Sequence, residues 1–189
     1  MNNIKKQIVV VHGGNTFDTY EEYLNYLKNY ELNFDKLKAE GWKETLDEKL
    51  GEGFEVISPE MPNSANAKYS EWKIIFDKLI PFLEVTVVLM GHSLGGIFLA
   101  KYLSENSFPK KILATYLIAA PYDDKDSEDS LGDFILPATL EKFKRQVGRI
   151  FIYHSEDDSI VPFVDFKKYT KALPKAEKNI FKTNGHFMQ

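Results

Sequence analysis

The 189-residue chain contains no cysteine. That excludes disulfides, thiolate metal sites and a cysteine nucleophile together. It also lacks an apolar run of membrane-spanning length. The first such run, Ile8 to Val11, is too short even for the core of a signal peptide, so a cytoplasmic address without membrane association is expected. Neither sign of charge dominates. The 24 basic and 28 acidic residues leave a formal net charge of −4 and no basic stripe, which argues against nucleic acid as a partner. Histidine is scarce, so imidazole chemistry is confined to His12, His92, His154 and His186.

What is present reads as one globular unit. With 43% hydrophobic residues the chain can bury a core without staples. Short β-branched runs alternate with helical spacing: Ile8–Val11, then Phe54–Ser58, Val85–Met90, Lys111–Ile118, Ile150–Tyr153 and Asn179–Phe181 read as strands. Between them, Trp72, Ile75, Phe76 and Leu79 make a helical stripe with Ser70 as its N-cap. Pro162 suits the first position of a later helix. About six strands alternating with helices predict a three-layer α/β/α sandwich with a mostly parallel sheet. The expected strand order is 2-1-3-4-5-6. Residues 1–189 form a single domain, with a helical, Tyr-rich insertion at about 16–53. Asp18 or Thr19 caps that insertion's first helix, Tyr20, Tyr23, Leu27 and Tyr30 are its buried stripe, and a second helical piece runs from Trp42 to Leu50. The acidic stretch from Pro121 to Leu140 is too short for a large cap.

One strand-to-helix junction carries chemistry. Gly91-His92-Ser93-Leu94-Gly95 is a G-x-S-x-G elbow between an apolar strand and the stripe Leu94, Ile97, Phe98. Such a turn holds the serine in a strained conformation, with strand and helix so close that a Cβ on either glycine would clash. The helix N-terminus then offers the Leu94 N–H to an oxyanion. After the first strand, His12-Gly13-Gly14-Asn15 brings backbone N–H groups to the same place, and Gly14 is the expected second donor.

A serine hydroxyl needs a base, and the base needs an orienting group. His12 lies in the oxyanion loop, His92 inside the elbow, and His154 at the end of the fifth strand. His186 follows the last strand, as the order serine, acid, histidine requires. In Glu156-Asp157-Asp158-Ser159-Ile160-Val161-Pro162, Asp158 is the expected acid, because it stands just ahead of the apolar anchor, with Asp157 second. Asn15, His92, Tyr20 and Tyr122 are the candidate substrate-contacting residues. No metal-binding residues are expected.

Gly91 to Gly95, Asp158 to Pro162 and Gly185-His186-Phe187 resemble the α/β-hydrolase superfamily. With Met61-Pro62-Asn63 they resemble its small retinoblastoma-binding protein 9-like (YdeN-like) serine hydrolases. The resemblance spans nearly the whole chain. It implies a minimal fold without a large cap, a serine esterase without metal or organic cofactor, and Ser93, Asp158 and His186 in the triad positions. Two features depart from the family: the long Tyr-rich insertion after Gly14, and the end of the chain three residues past His186, where the family ordinarily continues into a closing helix. A base beside a terminus is expected to be held loosely. The expected activity is hydrolysis of a small-molecule ester bearing a small or medium acyl group. The same triad would serve an amidase or peptidase, and an inactivated scaffold serving as a protein-binding module is the reading from a different class.

Overall fold

Six parallel strands form one open sheet in the order β2-β1-β3-β4-β5-β6. The computed structural model describes residues 5–32, 45–127 and 129–188. The strands are β1 (Lys6–Val11), β2 (Phe54–Ile57), β3 (Thr86–His92), β4 (Lys111–Ile118), β5 (Val147–Ser155) and β6 (Glu177–Phe181). The helices are α1 (Tyr20–Asn29), α2 (Leu46–Leu50), α3 (Tyr69–Leu79), α4 (Leu94–Glu105), α5 (Glu141–Gln146) and α6 (Phe163–Ala172). Trp42, expected to open the second helical piece, lies outside the described residues, and α2 is that piece's described part.

The central strands are apolar because a parallel sheet is covered on both faces. In β1 every residue after Lys6 is buried. Helices α4, α5 and α6 pack on the strands, α4 and α5 also on each other, and α2 packs against β2. Helix α1 buries no residue, standing instead at the carboxyl ends of the strands, where its Tyr26 lines a cavity with Ser93. Around α4 the core is aromatic: Phe98 of α4 receives Trp72 and Phe76 of α3 edge-on at ring distances of 5.7 and 5.3 Å. Phe134, from the segment between β4 and α5, closes on Trp72 at 5.2 Å. That segment therefore folds down into the core, and no large cap stands among the described residues.

Three local expectations are corrected. Ser70 does not cap α3: the helix starts at Tyr69, and the Asp133 carboxylate accepts the Tyr69 and Ser70 N–H groups at 2.8 and 3.4 Å. The cap comes from 64 residues beyond Tyr69, where sequence spacing has no reach. Pro162 stands one position earlier than expected, as the N-cap of α6. The tyrosine stripe of α1 is not core, since the helix has no buried residue and Tyr20 is 67% exposed. The tyrosine rings of α1 pack at a tilt on one another and on Phe17, at 5.2 Å for Phe17 and Tyr26 and 5.6 Å for Tyr26 and Tyr30. Thr19 does cap it, in a reciprocal box with Glu22.

Where the strand order reverses, the loops after β1 and β3 emerge side by side. Crevices at the carboxyl ends of parallel strands form at such a point, and the candidate site lies there.

Candidate active site

Ser93 occupies the turn between β3 and α4 with φ 54° and ψ −125°, a conformation that costs a non-glycine residue about 1–3 kcal/mol. The surroundings enforce it. The Ser93 N–H donates to the Ile118 carbonyl of the neighbouring strand at 2.8 Å. Gly95 lies so close to the end of β1 that a Cβ there would come within 2.2 Å of the Val11 carbonyl oxygen. Ser93 is formally the N-cap of α4, yet its hydroxyl caps nothing. The positive end of a twelve-residue helix is thus left facing the space beside Oγ.

The hydroxyl is turned to His186, whose Nε2 lies 2.8 Å from Ser93 Oγ. The other ring nitrogen, Nδ1, is 2.8 and 3.1 Å from the two Asp158 oxygens. An ionised carboxylate only accepts, so Nδ1 carries the proton and Nε2 is the lone pair facing the hydroxyl. Burial alone would raise the Asp158 pKa. The His186 N–H and the backbone N–H groups of Val161 and Ile160 at 3.0 and 2.9 Å outweigh it and hold the carboxyl below the ordinary carboxylate range.

The structure thus brings Ser93, His186 and Asp158 into one hydrogen-bonded line. Gly14 and Leu94 stand with Ser93 on the wall of one cavity. The loop carrying Gly14 is braced: the Asn15 N–H donates to the Ser64 carbonyl and the Asn15 carbonyl accepts from the Ala67 N–H, both at 2.8 Å. His12 braces it too, accepting the Met61 N–H on Nε2 and donating Nδ1–H to the Gly13 carbonyl.

Two depressions meet at Ser93. One, of about 140 Å³, is lined by Phe17, Tyr26, Leu131 and Val161. The other, of about 380 Å³, is more open and is bordered by His12, His92, His186 and Met188. Asn15 lines both, and its side-chain amide donates to the Tyr26 hydroxyl at 3.2 Å. Tyr20 and Tyr122 line neither. Tyr20 points to solvent, and Tyr122 packs edge-on against Tyr169 at 4.9 Å. Phe17 and Tyr26 take their place. Tyr26 stands three residues after Tyr23 and four before Tyr30, at the edge of the Tyr20, Tyr23, Leu27, Tyr30 stripe, so helical spacing was a signal that could have found it.

The other histidines are structural partners of the line. His92 borders the open depression, but its Nε2–H is engaged by the His186 carbonyl at 2.8 Å. His154 donates Nε2–H to the Val161 carbonyl at 2.9 Å, which closes the loop that presents Asp158. Its pKa is lowered by burial, against the Val161 bond and the Asp158 charge. The turn carrying His186 is not loose as expected of a near-terminal base: the residue is only 9% exposed and its backbone is held from several sides.

A protein-family model described as serine hydrolase matches residues 34–189. Among solved structures, the ydeN gene product from B. subtilis superposes with a TM-score of 0.71 at 18% identity, over 97% of this chain and 89% of that one. A putative YdeN-like hydrolase from Pectobacterium atrosepticum gives 0.61 at 15% identity, over 96% and 80%. A meta-cleavage product hydrolase from Pseudomonas fluorescens gives 0.64 at 14% identity, over 97% and 85%. No curated protein sequence matches the chain. Among the described residues no helix is long and apolar enough to cross a membrane.

Proposed function

From the premise that the chain belongs to the serine hydrolase family, we propose that it hydrolyses small or medium acyl esters through Ser93, His186 and Asp158. The observation that carries this reading is the unbroken line from Ser93 Oγ through both His186 nitrogens to Asp158, opening on a cavity beside a helix N-terminus.

In this reading each group has one task. His186 Nε2 removes the hydroxyl proton as Ser93 Oγ bonds to the ester carbonyl carbon, and the carbonyl oxygen takes the negative charge. The Leu94 and Gly14 N–H groups hold that oxyanion, at the positive end of α4. Asp158 stabilises the imidazolium without taking its proton. The tetrahedral adduct collapses, the alcohol leaves with the proton from Nε2, and an acyl-serine remains. Water then repeats the sequence in reverse roles, releasing the acid and restoring Ser93. A cavity of about 140 Å³ is small beside the roughly 300–1,000 Å³ of drug-sized sites. It therefore limits one arm of the ester, and the open depression leaves the other arm free.

Ser93→Ala is expected to lower kcat on short p-nitrophenyl esters by about 10⁴-fold or more and to abolish labelling by a fluorophosphonate probe. Turnover that survives the substitution removes Ser93 from the chemistry. An unsubstituted protein that neither turns over esters nor takes the label is a binding module on a hydrolase scaffold.

A further inference from the structure

The residue beside Asp158 is spent on something other than acid chemistry. Asp157 is exposed, and its Oδ1 accepts two bonds, from the Ser155 hydroxyl at 2.5 Å and from the Gly185 backbone N–H at 2.9 Å. Ser155, the last residue of β5, is fully buried. Its Oγ donates to Asp157 and accepts the Asn184 N–H at 2.9 Å, while the Phe181 carbonyl lies 3.3 Å away. Two side chains at the end of one strand therefore seize two consecutive backbone N–H groups, those of the residues immediately before His186. The downstream end is gripped by His92 on the His186 carbonyl. Gly185 has φ 51° and Phe187 φ 53°, so the turn bends through the left-handed region on both sides of His186 and needs holding in that shape.

The bonds at Asp157 also hold its carboxyl below the ordinary range, the Ser155 hydroxyl first and the Gly185 N–H second. Asp158 and Asp157 thus divide one task. Asp158 sets the tautomer and rotation of the ring, and Asp157 with Ser155 sets where the backbone carrying the ring stands. We propose that Ser155 and Asp157 are positioning residues that clamp the 184–186 turn and so hold His186 Nε2 at attacking distance from Ser93. The proposal rests on His186 being the base. A base displaced by about 1 Å costs up to about a hundredfold in rate, so the clamp acts on kcat rather than on substrate affinity.

The test compares Asp157→Ala, Asp157→Asn and Ser155→Ala with the unsubstituted protein, using p-nitrophenyl acetate kinetics and ¹⁵N-histidine NMR. Asp157→Ala is expected to lower kcat about tenfold or more with KM within twofold, and Ser155→Ala to do the same. Asp157→Asn keeps an oxygen for the Gly185 N–H and the Ser155 hydroxyl, so it is expected to stay within about threefold of the unsubstituted kcat. The His186 ring resonances are expected to report a single Nδ1–H tautomer in the unsubstituted and Asn proteins and to broaden or average in the two Ala variants. Asn as damaging as Ala overturns the clamp in favour of a charge effect. Ala variants with unchanged kcat and unchanged His186 resonances overturn it altogether. The NMR arm reads the resting protein, so a chain without esterase activity, which refutes the functional reading, still decides whether the clamp exists. Asp157 is exposed and leaves the core untouched when replaced, so its variants fold even if Ser155→Ala does not.

Discussion

Helices α1 and α4 have nearly the same length, 10 and 12 residues, and both border the cavity at Ser93, α4 with Leu94 and α1 with Tyr26. They are held by opposite means. In α4 nine residues are buried, from Leu94 to Leu103, and no side chain caps the N-terminus. In α1 no residue is buried, while its start carries a complete capping box and its tyrosines pair along its own surface. Helix α4 is stabilised by tertiary packing and leaves its N-terminal N–H groups without a side-chain cap. Helix α1 is stabilised by local bonds and supplies a ring, Tyr26, to the rim of the cavity. The site thus joins a wall built on the core to one that buries nothing in it.

The largest effect that would sharpen this contrast comes from Gly95→Ala. The added methyl meets the Val11 and His12 carbonyl oxygens at 2.2 and 2.5 Å, both backbone atoms that cannot yield without moving β1. A loss of more than about 4 kcal/mol is expected in urea titration. A loss under about 1 kcal/mol would mean that elbow and strand are not locked together.

Acidification separates the two regions next. Folded His154 is held neutral by burial, whereas an unfolded imidazole titrates near pH 6.5. Below about pH 6.5 the unfolded chain binds a proton that the folded chain refuses, so stability falls as pH drops, by at most about 1.4 kcal/mol per pH unit from this group. His154→Gln, which can still donate to the Val161 carbonyl, is expected to flatten that part of the slope between pH 7.5 and 5.5. Parallel slopes would mean that His154 takes no part. Amide exchange should show the 155–161 loop losing protection on acidification before α1 does.

Thr19→Ala gives the smallest effect, about 1 kcal/mol or less, because a cap on an exposed helix is lost locally. Faster amide exchange over Tyr20–Tyr23 with little change in the global urea midpoint is the expected result. A global loss of several kcal/mol would show that α1 belongs to the core after all.

The fold was largely readable because its signals are short-range. Ile8–Val11 and Val85–Met90 are apolar over lengths that suit only buried strands, and the alternation with helices left a parallel sheet as the economical arrangement. Ser93 was readable from its flanking glycines, and His186 from its place after the last strand. The Asp133 cap on α3 was not, because it joins residues 64 positions apart. The stripe of α1 misled because tyrosine is amphipathic: at helical spacing its rings can pack on each other as well as into a core.

The sequence by itself determined the strands, the elbow and two of the three groups proposed for catalysis, Ser93 from its flanking glycines and His186 from its place in the chain order, and narrowed the third to Asp158 ahead of Asp157. Only the tertiary structure decided which of two adjacent carboxylates faces the imidazole and which grips its backbone. Asp157 and Asp158 have the same chemistry and differ by one position, so their roles depend on the direction in which the loop after β5 turns each side chain.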